Sequence, residues 1–568
     1  MDRSVWLASY PAGIPSEITI PDESVPSMLE KAVRKFPDRP AIVFALRPGV
    51  HKTRTFAQLW ADIESFAGGL SERGFVRGDR LALFLPNCPQ YVIAYFAALR
   101  LGLTVVQVSP LYIGDDLVKP LLDSRAKGIV TLDIFSHNLE AVWGRLPDPK
   151  PKVFLGRLKE EAPFLVGLLF LNGILRKKGL DPSLPRKIPF EPFPKVLKSR
   201  TQAPSATIDP AKDVAAFQYT GGTTGKPKAA MLTHRNLVAN VLQLREWDRK
   251  AQEGKEVVLS VIPLFHVYGM TVAMNYPLFY GATMIVNPDK PEPKMALELI
   301  SRYHVTEFPG VPALYNAVNN HPIATQVDLK SVRMCLSGSA PLTVEITKKF
   351  EALTGGRLIE GYGLSETSPV THANPLEGNR KVGSIGVPVP STEMKIVGSD
   401  DPSKELGVDE VGELAVRGPQ VMLGYWNQPE ETAMVLKDGW FLTGDLARVD
   451  AEGFTYIVDR KKDMILVGGF NVYPREVEEV LYQHPDVLEA AVVGVADDRS
   501  GESVKAFVVR KPGTNPQAPD IIEFVRSRIA HFKAPRSVEF VESLPKTMVG
   551  KVLRRELKKQ PSLSPPTK

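Results

Sequence analysis

The 568-residue chain has only two cysteines, Cys88 and Cys335. They lie far apart with no metal-ligand spacing around them, so neither a disulfide framework nor a zinc site is predicted. The N-terminus lacks the apolar segment of a signal peptide. No apolar run reaches the roughly 20 residues that span a bilayer, and the longest, FLVGLLFLNGIL at 164–175, ends against basic residues. These absences favour a protein of the reducing cytoplasm.

A strong excess of one charge is also missing. The chain has 70 Lys and Arg against 64 Asp and Glu, a net charge of +6. This small excess favours anionic ligands or membrane surfaces only weakly, and no nucleic-acid partner is expected. An apolar content of 43% with 24% charged residues is typical of globular proteins. The length exceeds that of one domain, so we predict a multidomain enzyme.

Strand and helix patterns alternate through much of the chain. RLALFLPN at 80–87 predicts a buried strand and PQYVIAYFAALRLG at 89–102 a helix. Residues 145–204 interrupt the alternation with a stretch rich in Pro, Lys and Arg, which we interpret as an insertion. GELAVRGPQVMLGYW and GFTYIVDR later indicate β-rich structure. The charge cluster DRKKD at 459–463 predicts a boundary before a compact α+β unit.

The most unusual segment is YTGGTTGKPKAAMLTH, residues 219–234. A Walker phosphate loop needs Ser or Thr directly after its lysine, whereas Pro227 follows Lys226. The flanks predict two strands and a helix that begins only near Thr233, which makes the segment a hairpin loop. Such a loop can bind an anion through backbone N–H groups, hydroxyls and ammonium groups, and a glycine-rich turn with incidental lysines is the alternative. The candidate phosphate-binding residues are Thr220, Gly221, Gly222, Thr223, Thr224, Gly225 and Lys228.

Five further motifs follow this loop: SGSAPL from 337, EGYGLSET from 360, TGDLA from 443, DRKKDMILVGGFNVYP from 459 and PKTMVGKVLRREL from 545. Their order and spacing resemble the adenylate-forming superfamily, most closely the acyl-CoA synthetases that are bacterial long-chain fatty-acid CoA ligases. The resemblance spans nearly the whole chain. It implies an α/β fold whose large N-terminal unit, 1–459, has two αβαβα-type sheets and a β-rich subdomain. A hinge at 460–462 would join it to a small mobile α+β domain, 463–568.

The resemblance also implies a nucleotide site. A carboxylate that attacks the α-phosphorus of ATP brings two anions together, so their charge must be neutralised. Glu366 is assigned to Mg²⁺ together with Thr220, and Ser365 holds a phosphate-contacting hydroxyl. A capped turn is the alternative for this motif, and a hydrolase elbow is excluded because Thr367 stands where glycine is needed. The remaining nucleotide contacts are Gly338, Ser339, Ala340 and Tyr362 at adenine, Glu360, Gly361 and Gly363 in the same motif as Tyr362, and Asp445 and Arg460 at the ribose.

Three further assignments concern the C-terminal motifs. Lys551 is the implied catalytic lysine, which would bridge the substrate carboxylate and an ATP phosphate; alone, it would be interpreted as a surface lysine. Lys462 is the implied hinge residue. Gly468 and Gly469 are assigned to CoA binding. The implied cofactors are therefore ATP, Mg²⁺ and CoA.

The substrate is predicted from IPLFHVYGMT at 262–271. Amino-acid-activating relatives usually carry an aspartate where this chain has His266, so a fatty or aryl acid is favoured and His266 is a candidate catalytic residue. A buried, satisfied histidine is the alternative. Some long-chain members place a gating tryptophan where this chain has Met270. A thioether could still line a lipid tunnel.

Three classes of function remain at this point. A fatty-acid CoA ligase is favoured, with a medium-chain or aryl acid ligase as its variant. An adenylation enzyme with another acceptor, such as a carrier protein that it loads or an oxidative reaction, is the second class, and a lipid-binding protein without chemistry is the third. The apolar stretch in 161–178 could contact the inner face of a membrane, or be a buried helix with a basic end. The protein could also form a homodimer.

Overall fold

The computed structural model describes residues 2–163, 166–167, 171–204, 206–220, 227–288, 292–497, 499–547 and 550–559. Its helices are α1 Ser4–Leu7, α2 Val25–Lys35, α3 Phe56–Glu72, α4 Pro89–Arg100, α5 Gly114–Ser124, α6 Asp133–Val142, α7 Leu171–Lys177, α8 Phe193–Val196, α9 His234–Trp247, α10 Val267–Met270, α11 Tyr276–Phe279, α12 Pro293–Tyr303, α13 Pro312–Asn319, α14 Val344–Thr354, α15 Pro429–Val435, α16 Pro474–Leu481, α17 Ala518–Arg526 and α18 Arg554–Lys559. Tighter 3-10 turns cover Trp143–Arg145, Leu158–Glu161, Pro322–Thr325 and Ser365–Thr367, and a π-turn covers Thr271–Asn275.

The strands lie between these helices in the alternation that the sequence predicts. They are β1 Pro40–Arg47, β2 Val50–Thr55, β3 Arg80–Phe84, β4 Thr104–Val108, β5 Gly128–Leu132, β6 Lys152–Gly156, β7 Glu191–Pro192, β8 Val214–Thr220, β9 Lys228–Thr233, β10 Val257–Ser260, β11 Thr283–Val286, β12 Met334–Ser337, β13 Arg357–Gly363, β14 Val370–Ala373, β15 Val387–Pro388, β16 Glu393–Val397, β17 Gly412–Arg417, β18 Leu436–Lys437, β19 Trp440–Val449, β20 Thr455–Arg460, β21 Ile465–Val467, β22 Phe470–Val472, β23 Val487–Asp497, β24 Gly501–Arg510 and β25 Ser537–Phe540.

The chain divides into two compact units. One comprises residues 10–393 and 417–441, and the other comprises residues 1–9, 394–416 and 442–568. The second unit therefore contains strands on both sides of the predicted hinge at 460–462. That hinge stays a prediction about motion.

The larger unit is built on two sheets. One has the order β7-β6-β5-β3-β4-β8-β9, parallel except for the antiparallel β8–β9 pair. The other joins β2-β1-β11-β10 to β12-β13-β14-β15 through bridges of Glu307 and Gly310. Helix α4 is buried on nearly all sides, as its continuous apolar sequence requires. The predicted α/β class with two helix-flanked sheets is confirmed.

The first of these sheets is held by one apolar cluster. Apolar side chains at alternate positions of the parallel strands pack against α5 and α6. A parallel sheet that helices cover on both faces needs apolar side chains on each face. Its fully buried members include Ala82, Phe84, Val106, Val108, Leu117, Ile129, Leu139 and Val153. The carboxyl ends of β4 and β8 lie at one edge of this core, and that edge carries the candidate site.

The smaller unit contains two further sheets. In one, β19 pairs with β17 and, on its other side, with β20. In the other, β22-β21-β24-β23 form an antiparallel series, with β25 parallel to β24. Helices α16 and α17 cover this sheet through Val477, Leu481, Ile521 and Val525, all buried. The predicted α+β structure after residue 463 agrees with this arrangement.

Candidate active site

The hairpin around the predicted phosphate loop is present. Strands β8 and β9 pair in antiparallel register up to Thr220 opposite Lys228. Thr233 then caps α9: its hydroxyl accepts a hydrogen bond from Asn236 N at 3.2 Å, and the Asn236 side chain accepts one from Thr233 N at 2.9 Å. This reciprocal cap starts the helix only after β9. The loop's Gly221, Gly222, Thr223, Thr224 and Gly225 lie outside the described residues.

Glu366 lies on a tight turn between β13 and β14. The turn closes because Pro369 O accepts hydrogen bonds from Leu364 N at 3.2 Å and from Thr367 Oγ1 at 2.5 Å. Gly363 is required here, since a Cβ would lie 1.9 Å from Pro369 O. The turn packs against both β8 and β9. Ser365 and Glu366 are thereby brought to the β8–β9 hairpin.

The Glu366 carboxylate is buried and held in place by Tyr425. The Tyr425 hydroxyl donates to Glu366 Oε1 at 2.8 Å. Burial, followed by the charge of Glu366, raises the pKa of Tyr425 above its usual value, so this hydroxyl stays protonated and remains a donor. A second bond, from Met422 N to Glu366 O at 2.8 Å, ties the same segment to the turn. Glu366 is therefore a fixed carboxylate.

Lys228 is a buried cation that contacts the same tyrosine. Its ammonium group pairs with Glu431 of α15 and lies 5.3 Å from the centre of the Tyr425 ring. The chain after residue 421 runs beside β9, with Met231 N bonded to Gly424 O and Trp426 N to Ala229 O. Lys228 thus has a carboxylate partner already, and its predicted phosphate contact stays a prediction.

The predicted adenine contacts form a second part of the site. β12 and β13 are parallel neighbours with Ser337 opposite Glu360, so residues 338–340 leave the sheet beside 360–362. Glu360 Oε2 accepts a hydrogen bond from Leu342 N at 3.2 Å, which closes the loop over β13. Ser339 adopts φ of +72°. Within this loop lie Gly338 and Ala340, with no side chain beyond a methyl group.

Tyr362 is half-buried at the exposed end of β13. Its ring meets His372 edge-on, with centroids 6.0 Å apart. His372 is fully buried, and burial lowers its pKa to about 3, so it is neutral and supports the ring without adding charge. The nearest atom to a Cβ at Gly361 would be Leu336 Cδ1, at 2.8 Å. His372 therefore fixes the orientation of the Tyr362 ring, as a stacking platform for adenine requires.

His266 caps a single helical turn beside these loops. Its Nδ1 accepts a hydrogen bond from Tyr268 N at 3.2 Å, which places the proton on Nε2. Burial lowers the pKa of His266 to about 4, so the ring is neutral near pH 7. Gly269 is required in this turn because a Cβ would lie 2.1 Å from Pro263 O. His266 is a helix cap and remains a candidate substrate residue.

Two hydrogen bonds bring the His266 segment to the rest of the site. Gln218 of β8 donates to Phe265 O at 3.2 Å, and Thr271 donates to Ser368 O at 2.7 Å. Three buried polar atoms occur in this neighbourhood without a hydrogen-bond partner among the described residues: Ser337 Oγ, Ser368 Oγ and Gln218 Oε1. Such atoms are normally satisfied, so they are positions that a bound ligand or water would satisfy.

The predicted ribose contacts lie in the smaller unit. Asp445 and Arg460 are opposite each other in the β19–β20 pair, with Arg460 Nε 3.5 Å from Asp445 Oδ1. Lys462 follows in a tight turn in which Asp463 N and Met464 N donate to Arg460 O at 3.0 and 3.2 Å. The structure thus brings the acidic and basic ribose candidates together.

Gly468 and Gly469 form the two-residue turn between β21 and β22. Their φ angles of +59° and +85° are those of the hairpin turn that favours glycine at both positions. Phe470 follows directly, 61% exposed, and its ring lies 4.9 Å from that of Phe532. This hairpin therefore presents two aromatic side chains beside a turn made of two glycines.

Lys551 lies in a second hairpin. Thr547 N donates to Lys551 O at 2.8 Å, Lys551 N donates to Thr547 Oγ1 at 3.1 Å, and Lys546 bridges Val552. Gly550 precedes the lysine with φ of +76°. The lysine is half-buried, and hydrogen bonds hold both its backbone N–H and its backbone C=O group.

Sequence reasoning missed Tyr425 and Glu431. Both lie in GYWNQPEET at 424–432, where an aromatic residue and paired acids at a helix start were the available signal. Nothing local connects them to Glu366 or Lys228. They come close because the chain from residue 421 to residue 426 pairs with β9.

Family models decide the relationship of this chain to known proteins. Residues 29–426 match the AMP-binding enzyme model, and residues 476–551 match the AMP-binding enzyme C-terminal domain. The chain belongs to the AMP-binding enzyme family. These two matches confirm the predicted membership of the adenylate-forming superfamily.

Similar proteins that cover nearly the whole chain confirm the predicted acyl-CoA synthetase. A long-chain-fatty-acid–CoA ligase of Bacillus subtilis (strain 168) is 44% identical over 97% of this chain and 97% of the relative. The ligase of the same name from Escherichia coli O157:H7 is 41% identical over 98% of each. ATP-bound MatB from Rhodopseudomonas palustris, a solved structure, matches with a TM-score of 0.81 at 30% identity, covering 94% of this chain and 99% of that one.

Proposed function

We propose that this protein is an ATP-dependent long-chain-fatty-acid–CoA ligase. It activates the acid to acyl-AMP with release of pyrophosphate and transfers the acyl group to CoA with release of AMP. The observation that carries the proposal is the 44% identity to a ligase of that name across 97% of both chains. The site described above supports it because its carboxylate and aromatic face suit a nucleotide.

The first step is an attack of one anion on another. The β8–β9 hairpin would direct backbone N–H groups and the Thr220 hydroxyl at the ATP phosphates. Lys551 would lower the repulsion between the fatty-acid carboxylate and the α-phosphate. The bond from a carboxylate oxygen to the α-phosphorus forms while the bond to pyrophosphate breaks.

Glu366 is the residue that fits Mg²⁺. The ion usually binds to one or two carboxylates together with substrate phosphates, so a single fixed carboxylate near the phosphate hairpin is an adequate protein contribution. Tyr425 donates to one oxygen, Oε1. When bound, Mg²⁺ would neutralise charge on the phosphates. The neutral His266 adds no cation that would compete with it.

The second step needs access for the CoA thiol. Attack of the sulfur on the acyl carbon forms the thioester and expels AMP, and Lys551 is not needed because no second anion approaches. The Gly468–Gly469 turn with the exposed Phe470 and Phe532 is our candidate CoA surface, because an adenine ring can stack on aromatic side chains. Rotation about Lys462 would separate the two steps.

A long acyl chain would extend past the His266 segment. Met270 is fully buried there, and its sulfur accepts a hydrogen bond from Gln107 Nε2 at 3.3 Å. The π-turn Thr271–Asn275 follows directly, a distortion that is frequent at functional sites. A flexible thioether at this position could line a tunnel for an alkyl chain.

The proposal also includes a location for the protein, in peripheral contact with a membrane. Residues 145–204 contain thirteen Lys and Arg against five Asp and Glu, an excess larger than that of the whole chain. In α7 the side chains of Leu171 and Leu175 are buried, whereas Arg176 and Lys177 are exposed. None of the helices in the described ranges is long and apolar enough to cross a bilayer. We therefore propose electrostatic contact with anionic lipid.

The decisive experiment is acid-dependent AMP release with and without CoA. We expect pyrophosphate release from long-chain acids without CoA, limited to about one turnover, and sustained AMP release with CoA. Equal turnover with a carrier protein in place of CoA would favour the carrier-loading alternative. Absence of acid-dependent pyrophosphate release would refute the proposal, and a preference for aryl or medium-chain acids would correct its substrate.

A further inference from the structure

Arg554 lies at the centre of a carboxylate cluster outside the nucleotide site. Its Nη2 binds both Glu478 oxygens at 2.8 Å, and its Nη1 lies 3.4 Å from Asp463 Oδ2 and 3.8 Å from Asp459 Oδ1. Four-fifths of its side chain is buried. One guanidinium group therefore holds three carboxylates that would otherwise repel one another.

These three carboxylates belong to separate parts of the smaller unit. Asp459 is in β20, before the proposed hinge, and it also accepts a hydrogen bond from Arg475 N at 2.7 Å. Asp463 follows the hinge. Glu478 is on α16, where it accepts a further bond from Val492 N at 2.7 Å. Arg554 thus contacts both sides of Lys462 and the helix that covers the adjoining sheet.

Arg554 is also joined directly to the Lys551 hairpin. It is three residues after Lys551, and the intervening Leu553 N donates to Pro545 O at 2.8 Å, which continues the hairpin up to the start of α18. Leu557 of α18 is buried in a cluster with Leu544. The backbone from 550 to 557 therefore has one charged anchor, Arg554, and one apolar anchor.

We propose that Arg554 is a positioning residue for the first half-reaction: it ties the Lys551 hairpin to the two aspartates that flank the hinge. The proposal rests on the role of Lys551 in the proposed function. Arg554 acts through this placement and touches no substrate. A guanidinium group is needed because only its fork reaches several carboxylates at once.

The test compares the two half-reactions in the full-length enzyme. Arg554→Gln should slow fatty-acid-dependent ATP–pyrophosphate exchange on the order of 100-fold, since a misplacement near 1 Å has that effect. Thioester formation from supplied acyl-AMP and CoA should change less than about 3-fold. Arg554→Lys should recover part of the exchange rate. Lys558→Gln, an exposed cation on the same helix, is the control and should behave as wild type.

Glu478→Gln provides an independent variant. It removes the charge that Arg554 binds most closely and keeps the side-chain shape, so it should produce the same split with a smaller loss. The double variant Arg554→Gln/Glu478→Gln should lose no more than Arg554→Gln alone, because both changes break one contact. If Arg554→Gln protein does not fold, the split in Glu478→Gln decides the question.

The outcomes separate this proposal from the proposed function. Equal losses in both half-reactions for Arg554→Gln and Glu478→Gln, or wild-type rates in both, would overturn the positioning role. Lys551→Ala is measured in parallel. If Lys551→Ala fails to show a selective loss of adenylation, the proposed function is wrong at that residue, whatever the Arg554 variants do.

Discussion

Replacing Gly363 with alanine would open the turn that carries Glu366. The new Cβ would lie 1.9 Å from Pro369 O and 2.5 Å from the Pro369 carbonyl carbon. Non-bonded heavy atoms normally approach to about 3.5 Å, so one strand must move by more than about 1 Å. The atom that is displaced is the oxygen that accepts the two hydrogen bonds closing the turn.

The magnitude follows from these contacts. Overpacking against a rigid backbone costs about 1–3 kcal/mol, and weakening two hydrogen bonds adds about 1 kcal/mol each. We expect the free energy of unfolding of the larger unit to fall by about 3–5 kcal/mol. Because Glu366 moves with the turn, the adenylation rate should fall on the order of 100-fold even at low temperature, where the variant is folded.

Gly361→Ala is the matched control, two residues earlier in the same strand. Its Cβ would meet the Leu336 Cδ1 atom at 2.8 Å, the end of a side chain that can change rotamer. We expect a loss of about 1 kcal/mol and less than about 10-fold in rate. Urea unfolding and ATP–pyrophosphate exchange measure both variants. A Gly363→Ala enzyme with the wild-type urea midpoint and exchange rate, or a Gly361→Ala enzyme that is equally damaged, would contradict this prediction.

Three further predictions concern charge, motion and pH. Glu366→Gln keeps an acceptor for Tyr425 but removes the charge, so Mg²⁺-dependent adenylation should fall severely with the fold intact; wild-type Mg²⁺ dependence would exclude Glu366 as the metal ligand. Lys462→Pro fixes φ in the turn after Arg460, and the enzyme should still release pyrophosphate once but lose CoA-dependent turnover; steady-state acyl-CoA synthesis at the wild-type rate would contradict the hinge. His372 has its pKa lowered to about 3 by burial, so its contribution to stability is complete above about pH 6.5 and is lost as the pH falls toward 3. His372→Asn should therefore unfold with a pH dependence shallower by about 1.4 kcal/mol per pH unit between about pH 6 and 4 in urea titrations, and parallel curves for the two proteins would refute this.

Local sequence patterns were enough to predict the family, the pair of strands within residues 214–233 and the segments that carry the site. These conclusions rest on local chemistry. Proline after Lys226 removes the Walker hydroxyl, and Thr233 with Asn236 starts a helix at one defined place. Glycines at 468 and 469 permit the positive φ angles of a two-residue hairpin. Each of these signals acts over a few residues, so it can be interpreted without the fold.

Contacts between side chains that are distant in sequence depend on the tertiary fold and could not be predicted from local patterns. Tyr425 reaches Glu366 across 59 positions of sequence, and Glu431 reaches Lys228 across 203. These pairings depend on the register of the 421–426 segment beside β9, and a one-residue slip would turn every side chain to the other face. Arg554 gathers its carboxylates in the same long-range way. Burial, which lowers the pKa of His266 to about 4, is likewise a property of the packed molecule, because it depends on what surrounds the ring rather than on its neighbours in sequence.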